Sequence, residues 1–399
     1  AQVNRDNAGL AITGYAELHQ WAVAHPEAFW DAVWRFSGVV AATRGDTVLA
    51  DADRFPGARW FPEARLNFAQ NLLRERSEKT ALVSLLENGE RRCLSYAELY
   101  RRVAQLAASL RALGVTAGDR VVGFMPNIEE TIVAMLAATS IGALWSSCSP
   151  DFGINGVLDR FGQIQPKVLF CADGYYYNGK ACDSLERIRS VVAQIDSLEA
   201  VVVVPLVSAA PDLQGIPGSV LFADFLDPAA EDVDFEQLPF DHPLYIMYSS
   251  GTTGVPKCIV HGAGGTLLQH LKEHQLMVDL GPDDVLFYFT TCGWMMWNWL
   301  VSGLASGATL VLYDGSPFAN DGQLLLDAID AEGITIFGTS AKFIAALEKA
   351  GHKPAATHQL TTLKTILSTG SPLSHESFEY VYRDFKKDVC LSSISGGTD

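Results

Sequence analysis

Tyr248-Ser249-Ser250-Gly251-Thr252-Thr253-Gly254-Val255-Pro256-Lys257 packs five hydroxyls, two glycines and one lysine into ten residues. Glycine lets the backbone approach an anion and adopt positive φ, amides and hydroxyls donate hydrogen bonds, and lysine adds a compact positive charge. The composition suits a polyphosphate. It is not a Walker loop, because Lys257 follows Pro256 rather than glycine and Cys258 stands where Ser or Thr would be needed. A flexible linker uses the same residue types. The flanks argue against a linker: Pro243-Leu244-Tyr245-Ile246-Met247 reads as a buried strand leading in, and Cys258-Ile259-Val260 as a strand leading out.

Two later segments share this texture. Ser368-Thr369-Gly370-Ser371-Pro372-Leu373 falls between a strand pattern and a helix capped by Ser374, which is where an open α/β sheet receives a ligand. Ser392-Ser393-Ile394-Ser395-Gly396-Gly397-Thr398-Asp399 follows the strand-like Val389-Cys390-Leu391, and its Thr-Asp pair suits a hydroxyl on phosphate beside a carboxylate on Mg²⁺. Taken singly, each is more often a turn than a site. In this order and spacing the three stretches resemble the signature of the acyl-adenylate-forming (AMP-binding, acyl-CoA synthetase) superfamily, which activates carboxylates with ATP.

That resemblance implies ATP phosphates on Ser249, Ser250, Gly251, Thr252, Thr253, Gly254 and Lys257, and an adenine pocket at Gly370, Ser371 and Pro372. It further implies nucleotide contacts along Ser395, Gly396, Gly397 and Thr398, with Asp399 as the Mg²⁺ ligand and Lys257, Thr398 and Asp399 as the catalytic set. Most relatives have glutamate where Asp399 stands. A carboxylate one methylene shorter still reaches Mg²⁺, directly or through a water.

The aromatic run Phe289-Thr290-Thr291-Cys292-Gly293-Trp294-Met295-Met296-Trp297-Asn298-Trp299 reads in part as core packing. Its Gly293-Trp294 resembles the acyl-pocket segment of short-chain acyl-CoA synthetases, which would put Trp294, Met295, Met296 and Thr369 around the carbon chain of the acid. Relatives specific for acetate carry a tryptophan near the position of Gly396, so glycine there implies a larger acid. Trp60-Phe61-Pro62, Arg65 to Ala69, Gly142 to Gly153 and Gly293 to Asn298 resemble the acetoacetate-activating branch in particular, and the likeness runs from about Trp21 to Asp399. It implies acetoacetate as acid and coenzyme A as acceptor. A buried 3-keto oxygen needs a donor or a water, and Asn298 is the candidate.

Composition is compatible with this. At 399 residues and 48% hydrophobic, the chain can bury more than one core. A net charge of −17 opposes nucleic acid and anionic membranes as partners, so an anionic substrate must be held by local donors and metal. Seven scattered cysteines without a C-x-x-C pair suit a reducing compartment, and the cytoplasm is expected. No apolar run reaches the roughly 18–20 residues a membrane span needs, and no signal-peptide pattern opens the chain.

Strand and helix patterns alternate, predicting an α/β protein with layered α/β subdomains. Ser95-Tyr96-Ala97-Glu98 is a capping box, and Leu99, Val103, Leu106, Leu110 and Leu113 continue a helix to Gly114. A strand is expected at 120–125, an apolar helix at 128–141, and further strands at Val201 to Val204, Val285 to Phe289, Thr309 to Tyr313, Ile334 to Phe337 and Lys364 to Leu367. Residues 208–241 read as surface loop with a weak strand at Val220 to Phe222. Residues 1–75, with Trp21, Trp30, Trp34 and Trp60, read as a helical N-terminal extension, and residues 76–399 as the large adenylation domain.

The superfamily continues past this point with a ribose-binding aspartate, a hinge and a small C-terminal domain carrying a lysine for the reacting groups. None of these falls within the chain, so it is expected to represent the large domain truncated at its C-terminal end, able to bind ATP and acid. The implied reaction has the carboxylate attack the α-phosphorus of Mg·ATP, after which the coenzyme A thiol displaces AMP. Two other classes remain as alternatives: a nucleotide-binding module without catalysis, and a zinc peptidase using the H-x-x-E-H pattern of His270-Leu271-Lys272-Glu273-His274. Within the ligase class, another short-chain acid is the alternative to acetoacetate.

Overall fold

Val168–Ala172 and Ala200–Val204 are buried at every position, the mark of parallel strands covered on both faces. The computed structural model, which describes residues 2–6, 10–249 and 254–398, contains two sheets of this kind, each seven-stranded. Their strands are, in chain order, β1 (Thr80–Leu86), β2 (Arg91–Ser95), β3 (Arg120–Phe124), β4 (Leu144–Cys148), β5 (Val168–Ala172), β6 (Ala200–Val204) and β7 (Ser219–Leu221). They continue with β8 (Pro243–Ser249), β9 (Lys257–Gly262), β10 (Val285–Tyr288), β11 (Thr309–Asp314), β12 (Ile336–Ser340), β13 (Thr365–Thr369) and β14 (Cys390–Ser393).

Sheet I has the order β7-β6-β5-β3-β4-β8-β9 and sheet II the order β14-β13-β12-β10-β11-β1-β2. Both are parallel except for one antiparallel edge strand, β9 in sheet I and β2 in sheet II. In sheet II the chain moves from β10 to β11 on one side and then to β12 on the other. The carboxyl ends of β10 and β12 therefore flank a topological switch point, the usual ligand crevice of such a sheet.

Period-two alternation divides the core into three. Val121, Trp145, Phe170 and Val202 of sheet I and Leu82, Leu286, Leu310 and Ile336 of sheet II face one central core. Between them lie helices α3 (Tyr96–Ala112) and α4 (Glu129–Ser140), which follow the N-terminal α1 (Tyr15–Ala24) and α2 (Pro26–Phe36). α4 is buried at every residue, as a helix between two sheets must be. The alternate residues of sheet II, among them Val83, Phe287, Val311 and Phe337, face a second core, and Val122, Leu169, Val201 and Val203 of sheet I face a third.

α3 begins with the expected capping box, Ser95 Oγ accepting from Glu98 N–H and the Glu98 carboxylate from Ser95 N–H. The strands predicted in the second half of the chain form within about two residues of their expected places. The stretch 220–222 differs, because β7 ends at Leu221 and Phe222 opens a short helix, Phe222–Phe225. α2 anchors the N-terminal segment through Trp34, whose ring lies 4.8 Å from Phe61, itself 5.1 Å from Phe240.

Candidate active site

β8 and β9 form the expected hairpin, closing with Ser249 opposite Lys257. Ser250, Gly251, Thr252 and Thr253 lie outside the described residues. On the returning limb Gly254 has φ +96°, and a Cβ there would meet nothing within 4 Å. The position needs glycine for its backbone and leaves open space above it. Gln163 Nε2 donates to Pro256 O at 2.9 Å, and Lys257 is exposed. Beneath the hairpin, Tyr248 donates its hydroxyl to Ser146 Oγ at 3.1 Å, and burial pushes that phenol above its ordinary range.

The second and third stretches run side by side at the edge of sheet II. Ser368 on β13 is in register with Ser393 on β14, Ile394 N–H donates to Ser368 O at 2.7 Å, and Leu373 N–H approaches Ser393 Oγ at 3.4 Å. Tyr288, at the end of β10, donates to Thr369 Oγ1 at 3.0 Å, so the switch-point strand reaches the same place. Gly370 turns the chain out of β13 at φ +90°, and Ser374 caps α7 (His375–Tyr380) by accepting from Ser377 N–H. Ser371 and Pro372 are exposed, as are Ser395, Gly396 and Gly397. Side chains at Gly370, Gly396 and Gly397 would each meet nothing within 4 Å.

The strand that leaves the first stretch meets the third across the two sheets. His261 Nε2, on β9, lies 2.6 Å from the backbone carbonyl of Thr398. Asp399 is outside the described residues. The strand that leaves Lys257 and the segment that carries Gly396, Gly397 and Thr398 are thus in direct contact.

The aromatic run leaves β10 and enters helix α6 (Met295–Ser302), which lies between α5 (Ala263–Lys272) and sheet II. Ser147 Oγ, near the end of β4, donates to Cys292 O at 2.7 Å, and a Cβ on Gly293 would lie 3.5 Å from Ser149 N. The loop therefore sits where the carboxyl ends of both sheets meet. Trp294 is 65% exposed, Met295 and Met296 are half-buried, and Trp297 and Trp299 are buried as core. Asn298 is 3% exposed. Its Nδ2 reaches the weak acceptor Met247 Sδ at 3.5 Å, and its Oδ1 has no partner. The amide borders a cavity of about 10 Å³, with Trp145, Ser147, Tyr248 and Gly293 among its walls.

Supporting residues here were not singled out from the sequence. Asn127, after β3, accepts from Trp297 Nε1 at 2.9 Å, and its own N–H approaches Asp314 Oδ1 at 3.4 Å. Asp314 ends β11; burial raises its carboxyl to about 7 despite the Asn127 amide. The legible signal was position, a polar residue closing a buried strand just before Gly315.

The H-x-x-E-H residues are committed to packing. His270 Nδ1 lies 2.7 Å from Ser302 Oγ, Glu273 accepts from Trp299 Nε1 at 2.8 Å, and the His274 ring stands 4.2 Å from the Trp299 ring. Burial lowers both imidazoles, His270 to about 3. Among the described residues no group of three His, Cys, Asp or Glu is arranged to hold a metal, and no helix is long and apolar enough to cross a membrane. The open glycine cradle fits a polyphosphate. Asp399, the carboxylate that would hold Mg²⁺, lies outside the described residues, and the ion would otherwise be carried on the nucleotide.

Known proteins resemble the chain over nearly its whole length. Acetoacetyl-coenzyme A synthetase of Rhizobium meliloti is 54% identical over 393 residues, covering 98% of this chain and 60% of that protein. Malonamoyl-CoA synthetase of Penicillium aethiopicum is 43% identical over 419 residues, covering 98% of this chain and 58% of the other. The structure of acetoacetyl-CoA synthetase from Streptomyces lividans superposes with a TM-score of 0.94 at 44% identity, covering 100% of this chain and 62% of that one. The chain spans about 60% of the length of the relatives it matches. The family model for the acetyl-coenzyme A synthetase N-terminus matches residues 15–72. Since the model of the AMP-binding enzymes matches residues 68–394, the chain belongs to the AMP-binding enzyme family.

Proposed function

We propose that the chain is the nucleotide- and acid-binding part of an ATP-dependent acid–thiol ligase that makes acetoacetyl-CoA, AMP and pyrophosphate from acetoacetate, ATP and coenzyme A. One observation supports this reading: the strand leaving the first glycine-bearing segment contacts the third through His261 and Thr398, and the third contacts the second through Ser393 and Leu373. Ser249 to Gly254 with Lys257 hold the β- and γ-phosphates, Gly370 to Pro372 line adenine, and Ser395 to Thr398 border the nucleotide. Asp399 ligates Mg²⁺, which when bound neutralises phosphate charge.

The acid lies against Trp294, Met295, Met296, Thr369 and the space above Gly396. Its carboxylate oxygen forms the bond to the α-phosphorus as pyrophosphate leaves, and the thiol sulfur then takes the acyl carbon as AMP leaves. Lys257 and Thr398 act by positioning and by donating to phosphate oxygens. The acetoacetyl and malonamoyl groups in the relatives' names have the same skeleton, a 3-carbonyl ending in methyl or amino. Asn298, with its buried amide poorly satisfied, is the group to meet that carbonyl. Residues 76–399 serve as the large adenylation domain and residues 1–75 as an extension packed on it. Seven free thiols support a cytoplasmic location.

ATP–pyrophosphate exchange on the full-length protein tests this, with acetoacetate compared against acetate, propionate and butyrate. Acetoacetate should give the fastest exchange. Exchange with none of the acids would instead favour a nucleotide-binding module.

A further inference from the structure

One strand carries both Lys257 and His261: Lys257 opens β9, and His261, four residues on, is its penultimate residue. Across the sheet His261 pairs with Tyr245, whose buried ring packs 5.6 Å from the imidazole and fixes its setting. From there Nε2 reaches Thr398 O at 2.6 Å. A carbonyl oxygen only accepts, so Nε2 carries the proton and donates.

The accepting segment follows β14 without regular structure, with Ser395, Gly396 and Gly397 exposed. Its start is tied to sheet II by Ile394 N–H on Ser368 O at 2.7 Å. Its far end is tied to sheet I by His261. Because the bond uses the Thr398 carbonyl, the hydroxyl of Thr398 stays available to a ligand.

We propose that His261 is a positioning residue for Mg·ATP: it holds the Thr398 peptide against β9, the strand that Lys257 opens, and so sets where Thr398 meets the phosphates. This rests on the ligase reading above. Without the bond, two glycines would leave Thr398 free to swing away from the crevice. Of the acid-facing groups, Trp294, Met295 and Met296 lie outside the segment that this contact ties, and Gly396 lies within it.

The test uses full-length wild type, His261→Ala and His261→Gln, the last placing an amide N–H near the Nε2 position. Binding of Mg²⁺ with a non-hydrolysable ATP analogue is measured by calorimetry, beside the Mg²⁺ concentration for half-maximal pyrophosphate exchange, the KM for acetoacetate and the melting temperature. His261→Ala should weaken nucleotide binding about tenfold, as loss of one hydrogen bond does, and raise the Mg²⁺ requirement. The KM for acetoacetate should rise less than nucleotide binding weakens, since Trp294, Met295 and Met296 are untouched, and His261→Gln should recover most of the loss. Unchanged nucleotide binding in His261→Ala overturns the inference. So does a fall that tracks melting temperature and raises the acid KM equally, without rescue by Gln. A wild type that binds no Mg·ATP overturns the ligase reading and this inference together.

Discussion

His270 Nδ1 and Ser302 Oγ stand 2.7 Å apart, and the direction of the bond between them is fixed. The single hydroxyl proton of Ser302 is donated to Asn298 O at 3.0 Å, so His270 must donate from Nδ1. This chain links α5, which follows β9, to the helix that carries Met295, Met296 and Asn298. His270→Ala should cost about 2–4 kcal/mol in urea unfolding through cavity and lost bond together, and His270→Asn, which keeps a donor near Nδ1, distinctly less.

The same burial sets an acid limit. His270 titrates near 3 when folded against an ordinary value of 6.5, so between these the unfolded chain binds more protons and stability falls as pH drops through that window. His274 shifts in the same direction and adds to it. In His270→Asn the fall between pH 6 and pH 4 should be shallower by up to about 1.4 kcal/mol per pH unit.

Asp314 acts with the opposite sign. Its folded carboxyl titrates near 7 rather than 3.8 because it is buried, with Glu87 and Asp151 raising it and the Asn127 and Tyr176 amides lowering it. The folded state therefore binds the extra proton, and this contribution, full below about pH 4, is lost as pH rises through 7. Asp314→Asn should be more stable relative to wild type at pH 8 than at pH 5, as read by melting at both values.

Lys257 is exposed at the mouth of the hairpin, with nothing in the core depending on it. Lys257→Ala should leave the melting temperature within about a degree and lower pyrophosphate exchange roughly 10- to 100-fold, the range for losing one charged hydrogen bond to phosphate.

A Cβ on Gly396 would meet nothing within 4 Å, so a larger side chain can branch from this position. Gly396→Trp should reduce exchange with acetoacetate at least about tenfold while acetate is retained or gained. Equal losses for both acids would show that the glycine does not set acid size.

Much of this was legible from residues alone. The hairpin around the 248–257 stretch followed from its apolar flanks, and α3 from a capping box and helical spacing that agree with each other. Each signal was local. β1, β2, β4 and β5 were missed: Leu144 to Cys148 is a strand with two serines and no alternation, because both of its faces are covered, one serine bonding Ile246 O and the other Cys292 O. The roles of His261, Asn127 and Asp314 were hidden for another reason. Each depends on a partner more than 100 residues away, and no spacing along the chain encodes such a contact.

The central claim is that one triphosphate is cupped by stretches ending at 257, 373 and 399. A crystal structure of the full-length protein with Mg²⁺ and a non-hydrolysable ATP analogue tests it most directly. The account predicts β- and γ-phosphate oxygens within hydrogen-bonding distance of the 249–257 loop and of Thr398, with adenine against Gly370 to Pro372. A nucleotide bound elsewhere, or with its phosphates out of reach of Lys257 and Thr398, would contradict it.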